Sequence, residues 1–242
     1  MRILNLGCGT KVSEHPNVVN IDWSIYLRVK KNPVLRRVAP LLINGERLNG
    51  FKTIPANILV HNLAKGIPFP ADSVDVVYHS HLLEHLDRDI AKHFLLEIKR
   101  VLRPGGILRI VVPDFERFAK DYVHHLSVCE NDKGEAGKHD EYISAMISQC
   151  VRREAHGTSH QKPFRRFIEN TLLGDARRRG ETHQWMYDRI NLSWLLIGLG
   201  YKNPVVQQYN VSLISDWNKY MLDTDLHGNE YKTDSFYMEA QK

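Results

Sequence analysis

Residues 3–10 read ILNLGCGT, a four-residue apolar strand that runs directly into a Gly-x-Gly turn. Gly7 and Gly9 let the backbone turn sharply and come close to a ligand where a Cβ would clash. Beyond the turn, short apolar strands alternate with helical patterns, the signature of a parallel α/β sheet. In such sheets ligands bind beyond the carboxyl ends of the strands, which is where this turn lies.

The remaining strands are expected at Val18–Ile21, closed by Asp22, then Ile58–Val60, Val74–Tyr78 and Ile107–Val112. A helix is expected from about Asp89 to Leu102, with Ile90, Phe94, Ile98, Val101 and Leu102 on one apolar stripe. Pro104-Gly105-Gly106 stops it. The run Ile107–Val112 suits a strand buried on both faces. From Phe115 to Thr182 the pattern is helical, rich in His and Arg and without a strand signal, as in an inserted lobe or lid. A second insertion, about Trp23–Pro55, separates strands two and three. Leu192–Leu199 reads as a helix closed by Gly200, and Pro204–Tyr209 and Ser235–Ala240 as the last strands. The expected organisation is one domain, 1–242, with a ligand-binding core (1–114), a helical insertion (115–182) and a C-terminal part of the sheet (183–242).

Asp22 ends the second strand, where a carboxylate can accept both hydroxyls of a ribose. A dinucleotide fits poorly. The third glycine of GxGxxG is missing, and the chain between Gly9 and Asp22 is too short for a full crossover helix, whose N-terminus would hold a pyrophosphate. The link is expected to hold about one helical turn and to leave one side of the site open. A cofactor with a ribose and no phosphate fits better.

Four segments, LNLGCGT, NVVNIDWS, HNLAKGIPFPADSVDVVYHSHLLEHL and EIKRVLRPGGILRIVVPD, resemble in order and spacing the successive motifs of class I S-adenosylmethionine (SAM)-dependent methyltransferases. The resemblance covers about residues 1–114. It implies a Rossmann-like sheet, mostly parallel with an antiparallel last strand, and SAM as cofactor. It places Gly7 and Gly9 under the methionine and ribose, Asp22 on the ribose and Trp23 against the adenine. Asn62 and Leu63 match the polar–apolar pair beside that ring, and His79, Ser80 and His81 the residues near the methyl group. A shorter likeness, HQWMYD with LSWLLIGLGY and SFYMEAQK, resembles a subgroup tied to polysaccharide and sugar pathways. It points to His183, Trp185, Tyr187 and Asp188 as an acceptor pocket.

For a hydroxyl acceptor a base must take the proton late in the transfer, and histidine suits this near neutral pH. The candidates are His81 and His183, with Asp114 orienting either one or binding a sugar hydroxyl. His81-Leu82-Leu83-Glu84-His85 also spells HxxEH, a zinc-peptidase pattern, but the longer resemblance already explains it. No resident metal is expected in the site, for want of a dense carboxylate cluster; a Mg²⁺-assisted transfer, with Asp114 and another carboxylate as oxygen ligands, is the weaker alternative. An RNA or protein methyltransferase, and a SAM-binding subunit without catalysis, are the alternatives.

Composition narrows the partners. The net charge is +5, with basic pairs at Lys30/Lys31, Arg36/Arg37, Arg152/Arg153 and Arg165/Arg166 and a run at Arg177–Arg179. This favours an anionic small-molecule or glycan acceptor. No RNA-binding module or aromatic platform is recognisable, which disfavours nucleic acid. No apolar run reaches the roughly 18 residues of a membrane span. Residues 30–42, KKNPVLRRVAPLL, could rest on a membrane surface, although Pro33 and Pro40 favour a cap over the cofactor. Nothing in the sequence opposes a homodimer. Three scattered cysteines form neither a disulfide framework nor a CxxC site, and the glycine turn pre-empts a signal peptide, so a reducing cytoplasm is expected.

Overall fold

The computed structural model describes residues 1–37, 51, 55, 57–132, 134–148 and 182–242. Their strands are β1 (Ile3–Leu6), β2 (Val18–Asp22), β3 (Ile58–Val60), β4 (Val74–Ser80), β5 (Leu102–Pro113), β6 (Lys202–Gln207) and β7 (Ser235–Gln241). They form one sheet in the order β3-β2-β1-β4-β5-β7-β6. β7 is antiparallel to both neighbours and the other pairings are parallel. This is the Rossmann-like class I methyltransferase arrangement that the resemblance implies.

The helices are α1 (Ile25–Lys31), α2 (Arg88–Val101), α3 (Phe115–Asn131), α4 (His139–Ser148) and α5 (Arg189–Gly198). On one face of the sheet, Phe94, Leu95 and Ile98 of α2 and Leu192 and Leu196 of α5 pack on Leu4, Leu6, Val77 and Ile110. Full burial of such side chains stabilises by about 1.5–3 kcal/mol each. The stripe of α2 is centred on Ala91, Phe94, Leu95, Ile98 and Val101. Ile90 does not belong to it; it is 54 % exposed, because a one-residue step on a helix turns the side chain about 100°.

β4 runs two residues beyond its expected end. His79 pairs with Ile110 and Ser80 with Val111, so two polar residues that weaken the strand signal still continue the ladder. Of the segment expected to be helical after Phe115, the described residues as far as Ser148 form α3, a 3-10 turn at Glu135–Lys138 and α4. Arg152/Arg153, Arg165/Arg166 and Arg177–Arg179 lie outside the described residues, as do residues 38–50 and 52–54 of the Trp23–Pro55 insertion.

The opposite face corrects an expectation. The link 7–17 between β1 and β2 contains no helix at all, only turns. Yet the side is not open. The connection between β6 and β7, residues 208–234, crosses it and lays Ile214, Trp217, Tyr220 and Leu222 on Ile3, Val76, Tyr78, Val111 and Tyr237. Tyr220 meets the ring of His15 edge-on at 4.8 Å. A C-terminal segment therefore covers the apolar face that the shortened crossover leaves bare.

That connection is fixed by a buried charge cluster. Arg109 of β5 is fully buried. Its Nε donates to Asp223 Oδ2 and its Nη1 to Glu239 Oε1, both at 2.7 Å. Its remaining donors reach the carbonyls of Gln208, Tyr209 and Val211. Asp223 also accepts from Tyr78 and Trp217.

Candidate functional site

The carboxyl ends of β1 and β4 open into a cavity of about 200 Å³. Its floor is Asn5, Gly7, Cys8, Gly9 and Thr10 from the first strand and turn, with Ser80 and His81 from the end of β4. Gly7 and Gly9 have φ of +63° and +53°, a left-handed backbone that glycine adopts without cost. A Cβ on Gly7 would stand 3.0 Å from the Leu82 side chain, whereas the space beside Gly9 is open. The link that follows the turn, 7–17, forms no helix, so the turn does not lead into the helix N-terminus that serves as the anion trap of a pyrophosphate site.

Asp22 holds this turn to the end of β2. Its Oδ2 accepts from Gly9 N at 2.9 Å and its Oδ1 from Ser24 N at 2.7 Å. Each oxygen keeps a further lone pair, the acceptor set that two vicinal hydroxyls need. Trp23 is exposed, with the Arg28 guanidinium 4.7 Å over its ring. Asn62 caps a short 3-10 turn, accepting from Ala64 N at 3.0 Å. Leu63 lines a separate apolar hollow of about 320 Å³ with Leu82, Leu86 and Phe94. Leu82 stands between that hollow and Gly7.

The histidines separate by environment. His79 is fully buried on the far side of β4, packed on Phe94 with ring centroids 5.6 Å apart. Neither nitrogen finds a hydrogen-bond partner among the described residues. Burial pushes its pKa down to about 3, so it packs as a neutral aromatic and does not line the cavity, contrary to the sequence expectation. His81 does line it. Its backbone has φ of +50°, uncommon for a residue with a side chain and often found at functional positions. Its Nε2 lies 2.8 Å from Ser235 Oγ, and its Nδ1 3.4 Å from Glu84 Oε1. Burial, reinforced by Lys232, lowers its pKa to about 4, which leaves a lone pair available at neutral pH.

Glu84 follows on a 3-10 turn, Leu83–His85. It is buried, and desolvation raises its pKa to about 8. Its carbonyl accepts from Gln184 N and Trp185 N, which brings the 182–188 segment against the turn. His183 thereby meets the His85 ring edge-on at 4.9 Å.

The other expected residues have different duties. Asp114 caps α3, accepting from Arg117 N at 3.2 Å, and orients neither histidine; Ser235 is the side chain that touches His81. Tyr187 is a core residue. Trp185 is half-buried, with the Arg88 guanidinium 4.2 Å over its ring. Asp188 forms a capping box at the start of α5, accepting from Ile190 N and Asn191 N at 2.8 Å. Asp188→Ala is therefore expected to lower stability by about 1 kcal/mol, read by denaturant melts. An unchanged stability with weakened acceptor binding would restore Asp188 to the pocket.

Several site residues carry no local signal in the sequence. Tyr231 and Lys232 reach the cavity from the β6–β7 connection. Lys11 clamps that connection: its Nζ donates to Thr224 O at 2.6 Å and sits 4.2 Å over the Tyr231 ring. Only the length of the connection hints at them, since 27 residues between adjacent antiparallel strands (208–234) far exceed a hairpin.

Comparison with known proteins agrees with this geometry. Residues 4–110 match the family model described as a methyltransferase domain. No curated protein sequence matches the chain. Among solved structures, a SAM-dependent methyltransferase from Archaeoglobus fulgidus is 13 % identical, with TM-score 0.42, covering 100 % of this chain and 86 % of that one. One from Methanosarcina mazei is 19 % identical, with TM-score 0.42 and coverage of 100 % and 92 %. One from Aquifex aeolicus is 16 % identical, with TM-score 0.40 and coverage of 99 % and 81 %. The sheet order and register, rather than these likenesses, define the fold. By the match over residues 4–110, seated on that sheet and its glycine turn, the chain is an enzyme that carries a methyltransferase domain with S-adenosylmethionine as its cofactor.

Proposed function

We propose that the chain methylates a hydroxyl of an anionic, sugar- or glycan-related acceptor, with His81 as the base. The observation that carries this reading is His81 itself. It is the neutral imidazole on the cavity wall just past the end of β4, held by Ser235 of β7, with Lys232 beside it.

The residues present fit the cofactor. The open space at Gly9 accepts a backbone-hugging ligand, and Asp22 offers its two oxygens to ribose hydroxyls. Gly7, Gly9 and Asp22 would hold the cofactor, and Trp23, Asn62 and Leu63 would flank its adenine. Ser80 and His81 would stand at the methionine end. When bound, SAM supplies a methyl group already activated by its sulfonium. The chain's part is then to hold the acceptor oxygen in line, and orientation alone yields most of the acceleration. His81 takes the hydroxyl proton on one ring nitrogen. Lys232 and the clamped Lys11 make this rim positive and favour an anionic acceptor. The sugar-pathway likeness of the C-terminal motifs narrows the anion to a sugar phosphate, a nucleotide sugar or a charged glycan.

Labelled SAM offered to such acceptors should give methylated product. His81→Ala is expected to lower kcat by about 10²–10⁴-fold, the range of a lost general base, while SAM binding measured by calorimetry stays within a few-fold. A variant that retains wild-type kcat removes His81 from the base role. A steep fall of acceptor affinity with salt, together with methylation of RNA only, would replace the sugar acceptor by a polymer.

A further inference from the structure

Beside the cofactor cavity, the chain assembles a group of donors that the methyl-transfer reading does not use. Glu84, adjacent His85 and His183, nearly a hundred residues away in sequence, each point one ligand atom into the same small volume, all within 4.8 Å of one another. Glu84 comes from the turn after β4. His183 arrives because the backbone of Gln184 and Trp185 donates to the Glu84 carbonyl.

The hydrogen-bond pattern at this spot is incomplete in a specific way. The Glu84 side chain is 2 % exposed, and neither carboxylate oxygen has a hydrogen-bond partner among the described residues. His85 Nδ1 lies 3.3 Å from Thr182 O. A carbonyl only accepts, so Nδ1 carries the hydrogen and Nε2 presents a lone pair. That lone pair faces Glu84 Oε1 at 3.9 Å. A lone pair thus faces the oxygen of a buried carboxyl group, a costly arrangement unless something positive stands between them. An imidazole whose other N–H is committed to a backbone carbonyl is also the usual state of a histidine bound to a metal.

We propose that Glu84, His85 and His183 bind one divalent transition-metal ion at the edge of the cofactor cavity, with zinc as the reference occupant. Two imidazoles and a carboxylate are a donor set that suits zinc and its neighbours rather than calcium or magnesium. Ligand atoms sharing a zinc at about 2.1 Å stand no more than about 4.2 Å apart. With all three donor atoms within 4.8 Å of one another, the set reaches that limit by closing at most about 0.6 Å, within the reach of small side-chain rotations. The Thr182 carbonyl would fix the ring of His85 from outside. His81, 3.4 Å from Glu84 Oε1, would couple such an ion to the cavity wall. The histidine pair is not the one that the HxxEH spelling suggests: His85 is joined by His183 rather than by His81.

The test uses the full chain, stripped with chelator and titrated with Co²⁺ as the spectroscopic probe, then with Zn²⁺ in competition. Expected is one equivalent of cobalt, with visible d–d absorption and no thiolate-to-metal band. His183→Ala and His85→Ala should each weaken binding by at least about 10–100-fold. Cys129→Ser should leave it intact. That control matters because His125, Cys129 and His139 form the other converging group among the described residues. SAM calorimetry on the His183→Ala sample shows whether the cavity survives; retained SAM binding with lost cobalt supports the site. If that variant does not fold, the wild-type spectrum decides: a nitrogen–oxygen pattern supports the site and a thiolate band overturns it. No cobalt binding to the stripped wild type, or undiminished binding in a folded His183→Ala, also overturns it and leaves a protonated carboxyl as the occupant of the gap. None of these readouts depends on the acceptor, so failure of the sugar reading leaves the site standing.

Discussion

Arg109→Met is expected to destabilise the chain by about 3–5 kcal/mol, the cost of leaving one side of a buried ion cluster uncompensated. For a domain of this size that is a fall in Tm of roughly 6–20 °C. The expectation rests on the charge count at the cluster. One guanidinium serves two carboxylates, Asp223 and Glu239, and all three side chains are at most 1 % exposed. Methionine replaces the volume but strands both negative charges in the core. The triple substitution Arg109→Met, Asp223→Asn, Glu239→Gln removes the charges together and should recover much of the loss, because hydrophobic or neutral replacements of whole buried clusters are often tolerated. A single variant that melts with the wild type would show that the cluster contributes little. The change should also reach the cofactor site. Arg109 ties down Gln208, Tyr209, Val211 and Asp223 in the connection that carries Thr224, Tyr231 and Lys232, so SAM affinity is expected to fall along with stability.

That cluster also marks where the sequence stops being legible. The strands could be read because their residues are apolar and their ends are punctuated. Ile3–Leu6 and Ile58–Val60 stand as expected, and Pro104-Gly105-Gly106 follows the end of α2. Residues RIVVP of β5 also read as a buried strand, but nothing local says that the arginine within it is buried with the rest. Its partners lie about a hundred residues downstream, and burial of an ion is a tertiary fact. The same holds for the covered face. A short β1–β2 link implies a missing layer, yet only the packed structure shows Trp217 and Tyr220 filling it.

The site divides along the same line. The places of Gly7, Gly9 and Asp22 are legible because a left-handed turn and the end of a strand leave local marks in the sequence. The histidines were not separable, since 79 and 81 lie two residues apart. The left-handed turn at His81 breaks the strand alternation, so one ring enters the core and the other reaches the cavity. Asp114 and Asp188 looked like pocket residues and act as helix caps, the commonest duty of an aspartate just before a helical run.

Asp22→Ala is expected to weaken SAM binding by more than about 100-fold. Two effects act together. In the cofactor complex, hydrogen bonds from ribose hydroxyls to an ionised carboxylate contribute about 1.5–3 kcal/mol each. In the free protein the same carboxylate accepts from Gly9 N and Ser24 N at 2.9 and 2.7 Å, so alanine also releases the glycine turn and the first residue of the α1 cap. Asp22→Asn should fall between the two, because an amide offers one acceptor oxygen where the carboxylate offers two. The contributions separate in a cycle that measures S-adenosylhomocysteine and its 2′-deoxy form against wild type and Asp22→Ala. If the carboxylate meets the ribose, deleting the hydroxyl costs affinity in the wild type and nothing further in the variant. If the two losses simply add, Asp22 acts only by holding the turn. If Asp22→Ala binds the cofactor within about three-fold of the wild type, both roles fail. In that case the cofactor lies elsewhere along the strand ends, with the open space beside Gly9 left without an occupant.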